Sequence, residues 1–459
     1  MRLAWFSPWP PPWNGAAASS ADAVAALAAR GHAIDVFVDA ARTTVARGSD
    51  GPPQAGAVRV LSAHDFVWRQ ARGHYDLPVY QAANSRAHDF IWPYLLRWPG
   101  LTVLCDARLH HARAGALLSR GLHAAYREVF AWNHPQVSRD LAELGAQGFP
   151  GAYFYLWPMR RDVMEASRLI ASHGPGVVEE LRREHLDRPV VQIALGHGRT
   201  DHDIAAGRKR FRAARGLPES APVFGVFGSL TAERRIPQIL RAFAATQPWA
   251  PDARLLLVGT PDPQLDVMAD ARALGVAEAV CLVEGAYGAD PDEFDDAIAA
   301  SDVAIAMQWP TALETLAPWV RALAAGRATI IVDLEHQRHV PALDPRVWHR
   351  HGPTSDFDAG AEAKAITVAI DILDEEHSLR LAMRRLATDA PLRERLGAAG
   401  RAYWESAHTP ARMTDDYERA IDEALAQPLP SPQLPPSLRW DGTAHARALL
   451  EPFDLRLPF

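Results

Sequence analysis

The stretch from Ala300 to Asp333 constrains the fold of this chain more than any other. Val303 to Met307 is an apolar run of strand length, and Ala328 to Val332 is a second run rich in β-branched residues. Thr315 to Ala325, between them, carries helix-forming residues with an apolar stripe. A strand, loop, helix and parallel strand place the loop at the carboxyl edge of a sheet, where ligands and particularly anions bind.

Glu314 lies in the loop that precedes this helix and is the first candidate for a functional residue. Thr315 follows it at the start of the predicted helix. An ordinary solvated carboxylate is the alternative for any single loop glutamate.

The composition is that of a globular protein of more than one domain. The chain has 459 residues, of which 48% are hydrophobic and 22% charged, and its net charge is −7. This mild acidity argues against a nucleic-acid partner or a polybasic membrane surface. Cys105 and Cys281 lie far apart without metal-ligand spacing, which predicts neither a disulfide framework nor a metal site. The N-terminus lacks an apolar signal segment and no run reaches membrane-spanning length, so we expect a cytoplasmic protein.

Strands and helices alternate in two series, which predicts an α/β protein made of two doubly wound parallel-sheet domains. We place the first domain at residues 1–180, completed by a helix at about 408–426, and the second at 186–405. Glu362 to Asp389 is predicted to be helical. A proline-rich tail fills residues 427–459, and its apolar side chains are expected to dock on the body. A cleft between two such domains is the natural place for an active site.

Four residues of the first series are candidates for this cleft. Gly15 begins the first helix, where the backbone can approach a ligand, although a plain helix-start turn fits as well. Asp106 follows a strand directly. His110 and His111 are adjacent and cannot share one helical face, so a single metal held by both is not expected. One of them pointing into the cleft is the functional reading, and a surface or capping role is the alternative.

Arg234 and Arg235 begin a helix in the second series. The helix dipole disfavours cations at this end, so the pair makes sense if it faces an anion such as phosphate. The alternative is that one arginine is solvated while the other pairs with Glu233.

The order of motifs along residues 1–426 resembles that of GT-B glycosyltransferases of the large retaining family 4 (group 1). The motifs are P-W-N-G-A-A-A-S-S, L-A-A-R-G-H-A-I-D-V-F, V-L-C-D-A-R-L-H-H-A-R, F-G-S-L-T-A-E-R-R-I-P-Q-I-L-R-A-F, R-L-L-L-V-G, A-A-S-D-V-A-I-A-M-Q-W-P-T-A-L-E-T and R-A-L-A-A-G-R-A-T-I-I-V-D. The resemblance implies a C-terminal domain that binds a nucleotide-sugar donor and an N-terminal domain that binds the acceptor.

The resemblance also implies residue roles. Arg234 matches the phosphate-binding lysine of the family, Gly15 its glycine-rich loop, and Ser229 stands where an arginine is usual. The family histidine that contacts the sugar falls on Cys105, beside Asp106. In this resemblance His110 or His111 are the candidates to replace that histidine.

The paired glutamates of the family do not carry over. Leu313 stands at the first position and Arg321 at the second. The resemblance implies that Glu314, with Thr315, contacts the donor sugar, and that Arg321 senses a phosphate, pairs with Glu314 or serves as an ordinary helix arginine.

The implied activity is metal-independent transfer of a sugar, with retention, from a nucleotide diphosphate sugar to a glycan, lipid or small-molecule acceptor. No other cofactor is expected, and a lipid acceptor would bring the protein to a membrane surface. One rival is a homologue that binds a nucleotide or glycan without transfer, because Cys105, Ser229 and Arg321 all depart from the pattern. Another rival is an epimerase or phosphorylase of the same shape. A phosphorylase needs a cofactor-bound lysine, whereas Lys209 and Lys364 are the only lysines.

Overall fold

Two β-sheets, each flanked by helices, form the framework of the protein. The computed structural model describes residues 1–10, 15–43, 45, 51–149, 152–185, 187–199, 202–285, 291–351, 364–439 and 444–455. The strands of the first sheet are β1 (Arg2–Phe6), β2 (Ala33–Val38), β3 (Val58–Ser62), β4 (Leu77–Ala82), β5 (Leu101–Leu104), β6 (Leu169–Ser172) and β7 (Val190–Gln192). Those of the second are β8 (Val223–Phe227), β9 (Arg254–Val258), β10 (Val280–Val283), β11 (Val303–Ala306), β12 (Ala328–Val332), β13 (Ala342–Leu343), β14 (Arg350–His351) and β15 (Thr367–Ile370).

Helices cover both faces of these sheets. In the N-terminal half they are α1 (Gly15–Ala29), α2 (Phe66–Ala71), α3 (Trp92–Leu95), α4 (His110–Leu118), α5 (His123–Asn133), α6 (Arg139–Ala146), α7 (Tyr153–Leu156), α8 (Arg161–Ala166) and α9 (Pro175–Glu184). In the C-terminal half they are α10 (Ile204–Arg215), α11 (Ile236–Thr246), α12 (Val267–Ala273), α13 (Pro291–Ala300), α14 (Ala317–Ala324), α15 (Glu375–Thr388), α16 (Ala390–Ala407), α17 (Pro410–Ala426), α18 (Pro436–Arg439) and α19 (Ala444–Leu450). Short 3₁₀ helices lie at Ala63–Asp65, Arg86–Ile91, Ala277–Ala279, Glu335–Gln337, Ile372–Asp374 and Glu451–Phe453.

The strand order of each sheet is that of a doubly wound fold. The first sheet runs β3-β2-β1-β4-β5-β6-β7 with all strands parallel. The second runs β10-β9-β8-β11-β12-β15-β13-β14, and only its last pair is antiparallel. The chain order reverses beside β1 in one sheet and beside β8 in the other, and ligand sites form at such switch points. The predicted α/β class and two-sheet architecture are confirmed.

The stretch from Ala300 to Asp333 has the predicted strand–loop–helix–strand order. β11 pairs in parallel with β12, and Val303 lies opposite Ala328. Both strands are fully buried because helices cover the two faces of the sheet, which explains their continuous apolar runs. The helix begins later than predicted, at Ala317. The loop before it is therefore longer, and it includes Thr315.

Two features differ from the sequence expectations. Glu362–Asp389 is not one helix, because Thr367–Ile370 forms the buried strand β15 and the helix begins at Glu375. Residues 362 and 363 lie outside the described part. β7, at Val190–Gln192, pairs with β6 and belongs to the first sheet, so that domain extends beyond residue 180. A strand sequence does not show which of two sheets it joins.

The chain crosses between the domains through a linker at residues 193–198, of which 193–197 are buried. Side chains from the C-terminal helices hold its backbone. The backbone N–H of Ala194 donates to Asp416 (2.9 Å), the ring of His408 to the carbonyl of Leu195 (3.1 Å), and the indole of Trp404 to the carbonyl of His197 (2.6 Å). These bonds satisfy polar backbone groups that have no access to water.

Helix α17 returns to the N-terminal sheet after this crossing. Its apolar face, including Met413, Tyr417 and Ile421, is buried in the same core as Trp5 and Leu3 of β1. The first domain is thus built from both ends of the chain.

The tail was expected to dock through its apolar side chains, and only part of it does. Leu434 is buried, and the indole N–H of Trp132 donates to the carbonyl of Gln433 (3.1 Å). Leu449 and Phe453, in contrast, are 61% and 73% exposed. Leu457 and Phe459, which belong to the same expectation, lie outside the described residues. No helix in the described part is long and apolar enough to cross a membrane.

Candidate functional site

A cavity of about 490 Å³ lies between the two domains, at the carboxyl edges of both sheets. Its walls come from the loops after β1, β4, β5 and β6 on one side and after β8, β9 and β11 on the other. Loops at facing switch points therefore form one shared site.

The loop after β8 provides the cationic wall. Gly228, at the start of this loop, has φ +104°. A Cβ atom on Gly259 would lie only 1.6 Å from the carbonyl oxygen of Gly228, so the close approach of the two backbones requires glycine at position 259. Ser229 and Arg234 line the cavity. The structure places both as the sequence analysis expected, although their proposed role in phosphate binding stays a prediction.

Arg235 points elsewhere. It has φ +61°, and its guanidinium pairs with the carboxylate of Glu375 on α15, with one bond of 2.6 Å from Nε to Oε1. Arg235 does not line the cavity. Its contact with the donor phosphate stays a prediction, which this geometry does not support, and its partner is not Glu233 but a residue of a distant helix.

The loop before α14 lies at the boundary between the two domains. The carbonyl of Ala312 accepts the backbone N–H groups of Ala107 (2.9 Å) and Arg108 (3.1 Å) in the opposite domain. Leu313 has φ +65° and packs in the N-terminal hydrophobic core, where it is 6% exposed. One loop of the second domain is thus anchored in the first.

This anchoring fixes Glu314. One oxygen of its carboxylate, Oε2, accepts hydrogen bonds from the Thr311 hydroxyl (2.9 Å) and the Ala312 N–H (2.8 Å). Glu314 and Thr315 both line the cavity. The second oxygen of the carboxylate, Oε1, is not part of these two bonds, and it is the atom through which we expect Glu314 to meet a ligand.

Asp106 lies on the facing wall, where the backbone N–H of Asn84 donates to its Oδ2 (2.6 Å). Burial raises the pKa of Asp106 to about 7, and the negative charge of Glu314 acts in the same direction. The Asn84 bond and the positive charge of Arg234 lower the pKa of Asp106 and oppose that shift. These interactions show that Asp106, Glu314 and Arg234, which are far apart in sequence, share one electrostatic environment.

The N-terminus of α1 closes the cavity near the domain linker. Gly15, Ala16 and Ser19 line this side. The Ser19 hydroxyl lies 2.7 Å from the Gly15 carbonyl and 2.6 Å from Nε2 of His197. Gly15 is thus placed at the site as expected, whereas residues 11–14 of the same predicted loop lie outside the described part.

The two histidines singled out from the sequence do not line the cavity. His110 is fully buried beside Tyr126, whose hydroxyl lies 2.8 Å from its Nε2. Burial lowers the pKa of His110 to about 3, and His134 and His111 reinforce this. His111 has its Nδ1 3.2 Å from the Asn84 amide. Helix α4 thus turns His110 into an aromatic cluster behind the wall, whereas the half-buried His111 packs against Phe154 and Tyr155. That either replaces the family histidine stays a prediction, which this geometry does not support.

Arg321 also lies outside the cavity. Its Nη1 donates to Asp295 (2.8 Å) on the neighbouring helix α13, so it neither pairs with Glu314 nor faces the ligand site. This is the ordinary structural role that the sequence analysis kept as an alternative.

Two other histidines, His88 and His173, do line the cavity and were not identified from the sequence. His173 follows β6 directly, and its Nδ1 lies 3.0 Å from the carbonyl of Ile193. His88 lies on the 3₁₀ helix Arg86–Ile91 after β4. Their position just beyond strand ends was the available signal, but a single histidine beyond a strand is a common feature.

The arrangement suits an anionic ligand with hydroxyl groups. Arg234 and the N-termini of α1 and α14 supply positive potential on the cavity walls. Asp106 and Glu314 supply carboxylates that accept hydrogen bonds from hydroxyls. Within the described residues, no group of three or more His, Cys, Asp or Glu side chains has the geometry of a metal site.

The sequence matches no known protein-family model and no curated protein. The structure, however, is similar to sucrose-phosphate synthase from Thermosynechococcus elongatus, with a TM-score of 0.62 and 15% identity over 93% of this chain and 99% of that one. It is also similar to WaaG, a glycosyltransferase of lipopolysaccharide biosynthesis (TM-score 0.59, 16% identity, 92% and 98% coverage). Anabaena HepE in complex with UDP-glucose gives a TM-score of 0.58 at 11% identity, with 92% and 99% coverage. The chain has the GT-B fold.

The raised pKa of Asp106 predicts a specific pH dependence of stability. The pKa of the Asp106 carboxyl group is higher in the folded state than its ordinary value of 3.8. Once the pH exceeds 3.8, the unfolded chain loses this proton more readily than the folded protein does, so the group disfavours folding. In the wild type, stability is therefore lost as the pH rises from about 4 to about 7 through this group. The substitution Asp106→Asn removes the effect and should raise the free energy of unfolding at pH 8 by up to about 4 kcal/mol, with little gain at pH 4.

Urea unfolding of both proteins at pH 4, 6 and 8 measures this difference. Asp187→Asn, at an exposed carboxylate, is the matched control and should give no pH-dependent gain. An equal gain for Asp106→Asn at all three pH values would show that Asp106 has an ordinary pKa.

Proposed function

We propose that this protein is a glycosyltransferase that takes a sugar from a nucleoside diphosphate sugar. The observation that carries the proposal is the shared cavity: residues from both domains bring Arg234 and two helix N-termini together with two carboxylates, Asp106 and Glu314. A diphosphate needs the first set, and the hydroxyls of a sugar need the second. The complex of the structural neighbour HepE with UDP-glucose supports the same class of donor.

In this proposal the C-terminal wall holds the diphosphate. Arg234 makes charge-assisted hydrogen bonds to phosphate oxygens, and the backbone N–H of Ala317, at the start of α14, adds a further donor. These groups are fixed before the reaction, so they stabilise the negative charge that grows on the departing diphosphate. Because Arg234 and the helix ends balance this charge, the proposal requires no metal ion.

The transfer itself is proposed to retain the anomeric configuration, as in the family that the motif order resembles. The bond from the anomeric carbon to the diphosphate oxygen breaks, and the acceptor hydroxyl attacks from the same face. Its proton passes to the departing phosphate oxygen, so no external base is required. Glu314 and Asp106 orient the sugar by accepting hydrogen bonds from its hydroxyls.

A second candidate function is binding of a nucleotide without transfer. Cys105, at the position of the family histidine, directs its thiol towards Gln81 (3.7 Å). Burial raises the pKa of Cys105 to about 12, so the thiol is neutral. Ser229 is neutral as well, which leaves the C-terminal wall with less positive charge than the resemblance implies.

Substitution of Arg234 tests the donor site. Arg234→Ala should weaken the affinity for a nucleoside diphosphate about 10- to 100-fold, because a hydrogen bond to a charged group is lost. Isothermal titration with UDP, GDP, ADP and TDP measures this. Arg241→Ala, on helix α11 just after the loop of Arg234 and outside the cavity, is the control with the same charge change. Arg235→Ala should lower the melting temperature, since Glu375 loses its partner, yet leave the affinity unchanged. Unchanged affinity in Arg234→Ala would remove Arg234 from the site.

Substitution of Glu314 tests the chemical role. Glu314→Gln should lower kcat for release of the diphosphate from a nucleotide sugar about 100-fold, because the sugar loses the charged acceptor that orients it, with the affinity for the free diphosphate unchanged. The assay is run with and without EDTA, and proton NMR records the anomeric configuration of the product. Glu335→Gln, at an exposed glutamate, is the control. Turnover that survives in Glu314→Gln, or an inverted product, contradicts the proposed chemistry. A wild-type protein that binds the diphosphate and never releases it from the sugar supports the binding function instead.

A further inference from the structure

A second, smaller cavity of about 140 Å³ lies at the carboxyl edge of the first sheet. Its walls come from the loop after β1, the loop after β2 and the 3₁₀ helix Arg86–Ile91, which follows β4. None of the residues that line it also lines the large cavity. The small cavity is therefore a separate feature of the N-terminal domain, and the proposed donor site does not use it.

The two cavities nevertheless lie next to each other, because they border the same 3₁₀ helix. Ser85, just before this helix, and His88 line the large cavity. Ala87 and Phe90 line the small one. Residues three apart lie on one side of a 3₁₀ helix, so each cavity borders a different side of it.

Two aromatic side chains form the apolar wall of the small cavity. Trp9 and Phe90 are partly buried, and each packs against one of the two hydrophobic clusters that cover the first sheet. This packing holds the rings in place at the cavity. A cavity of about 150 Å³ accommodates one six-membered ring, so the small cavity has room for a single ring.

An ion pair forms the polar wall. Nε of Arg42 donates to Oδ2 of Asp39 (3.1 Å), and the backbone N–H of Ala41 donates to Oδ1 (3.0 Å). The two terminal nitrogens of Arg42 take no part in this bond, and each carboxylate oxygen can accept a second hydrogen bond. Both side chains are accessible, since Arg42 is 48% and Asp39 31% exposed. The pair therefore offers donors and acceptors side by side.

The two walls together select one class of ligand. The carboxylate of Asp39 disfavours an anion, and the guanidinium of Arg42 disfavours a cation. A purely apolar ring would displace water from the ion pair without replacing its hydrogen bonds, which costs free energy. A sugar ring has C–H groups on its faces and, around its rim, hydroxyls that both donate and accept. It therefore suits the aromatic wall and the ion pair at once.

We propose that the small cavity binds one sugar ring of a glycan acceptor, with the ring against Trp9 and Phe90 and its hydroxyls on Arg42 and Asp39. This inference rests on the proposed function, and it selects a glycan from the glycan, lipid and small-molecule acceptors. The ring held here is not the one that reacts. A helix with its side chains is about 10 Å across, so a glycan of a few rings reaches from this cavity to the donor site.

Saturation-transfer NMR measures weak binding of sugars and identifies the protons that contact the protein. The probes are the methyl glycosides of glucose, galactose, mannose and N-acetylglucosamine, together with benzyl alcohol as an aromatic ring without a hydroxylated rim. Trp9→Ala removes the indole of the aromatic wall, and Arg42→Gln removes the charged donor. Each is also combined with Glu314→Gln, which alters only the large cavity. Trp249→Ala, at a tryptophan of the C-terminal domain that is 55% exposed, is the matched control. Circular dichroism verifies that each variant is folded.

For the glycosides that the wild type binds, Trp9→Ala should weaken the affinity about tenfold, because the ring loses its aromatic contact. Arg42→Gln should weaken it as well, both effects should persist in the presence of Glu314→Gln, and Trp249→Ala should have none. Unchanged affinity in Trp9→Ala would overturn the assignment of the small cavity. So would a wild type that binds none of the glycosides, or one that binds benzyl alcohol alone.

Transfer kinetics connect this sugar to the reaction. With a trisaccharide of the bound sugar as acceptor, Trp9→Ala should raise the acceptor KM and leave the KM of the nucleotide sugar unchanged. An unchanged acceptor KM would overturn the acceptor role while the proposed function stands. A wild type that binds no nucleoside diphosphate contradicts the proposed function, and the acceptor role with it, even where Trp9→Ala weakens the binding of a glycoside.

Discussion

The docking of one loop across the domain seam determines the geometry of the site. The carbonyl of Ala312 accepts two backbone N–H groups of the N-terminal domain, and Leu313 is buried in that domain's core. Without these contacts, Glu314 would lie on a loop free to follow either domain. With them, its carboxylate lies at a defined position near Asp106, and its negative charge raises the pKa of Asp106. Leu313 has a positive φ, which is unfavourable for a residue other than glycine. The two domains on either side of the loop hold Leu313 in this conformation.

The linker complements this loop at the other end of the cavity. Its buried carbonyls accept hydrogen bonds from His173, His408 and Trp404, and Ser19 of α1 contacts His197. The cavity therefore lies between a docked loop and a linker that hydrogen bonds hold in place. A site of this kind can hold a diphosphate and a sugar in fixed orientation, and such positioning supplies much of the rate in group transfer.

The fold was predictable from the sequence because buried parallel strands appear as apolar runs between helix signals. The site was predictable only in part. Three residues of the site follow strand ends: Asp106, Arg234 and Glu314. The topology of the two sheets therefore brings them together, whichever rotamers their side chains adopt. The direction of the Arg235 side chain depends on its positive φ and on its ion pair with Glu375. The direction of the Arg321 side chain depends on its ion pair with Asp295. Both carboxylates are distant in the sequence, so the residues next to each arginine do not indicate them. His88 was missed because a short 3₁₀ helix carries no periodic pattern.

A crystal structure with a nucleoside diphosphate sugar, UDP-glucose first, tests the central claim most directly. The account predicts phosphate oxygens within hydrogen-bond distance of Arg234 and the sugar ring between Glu314 and Asp106. A ligand bound elsewhere, such as the smaller pocket of about 140 Å³ beside Trp9 and Phe90, would contradict it. So would a sugar that occupies the cavity with its diphosphate turned away from Arg234.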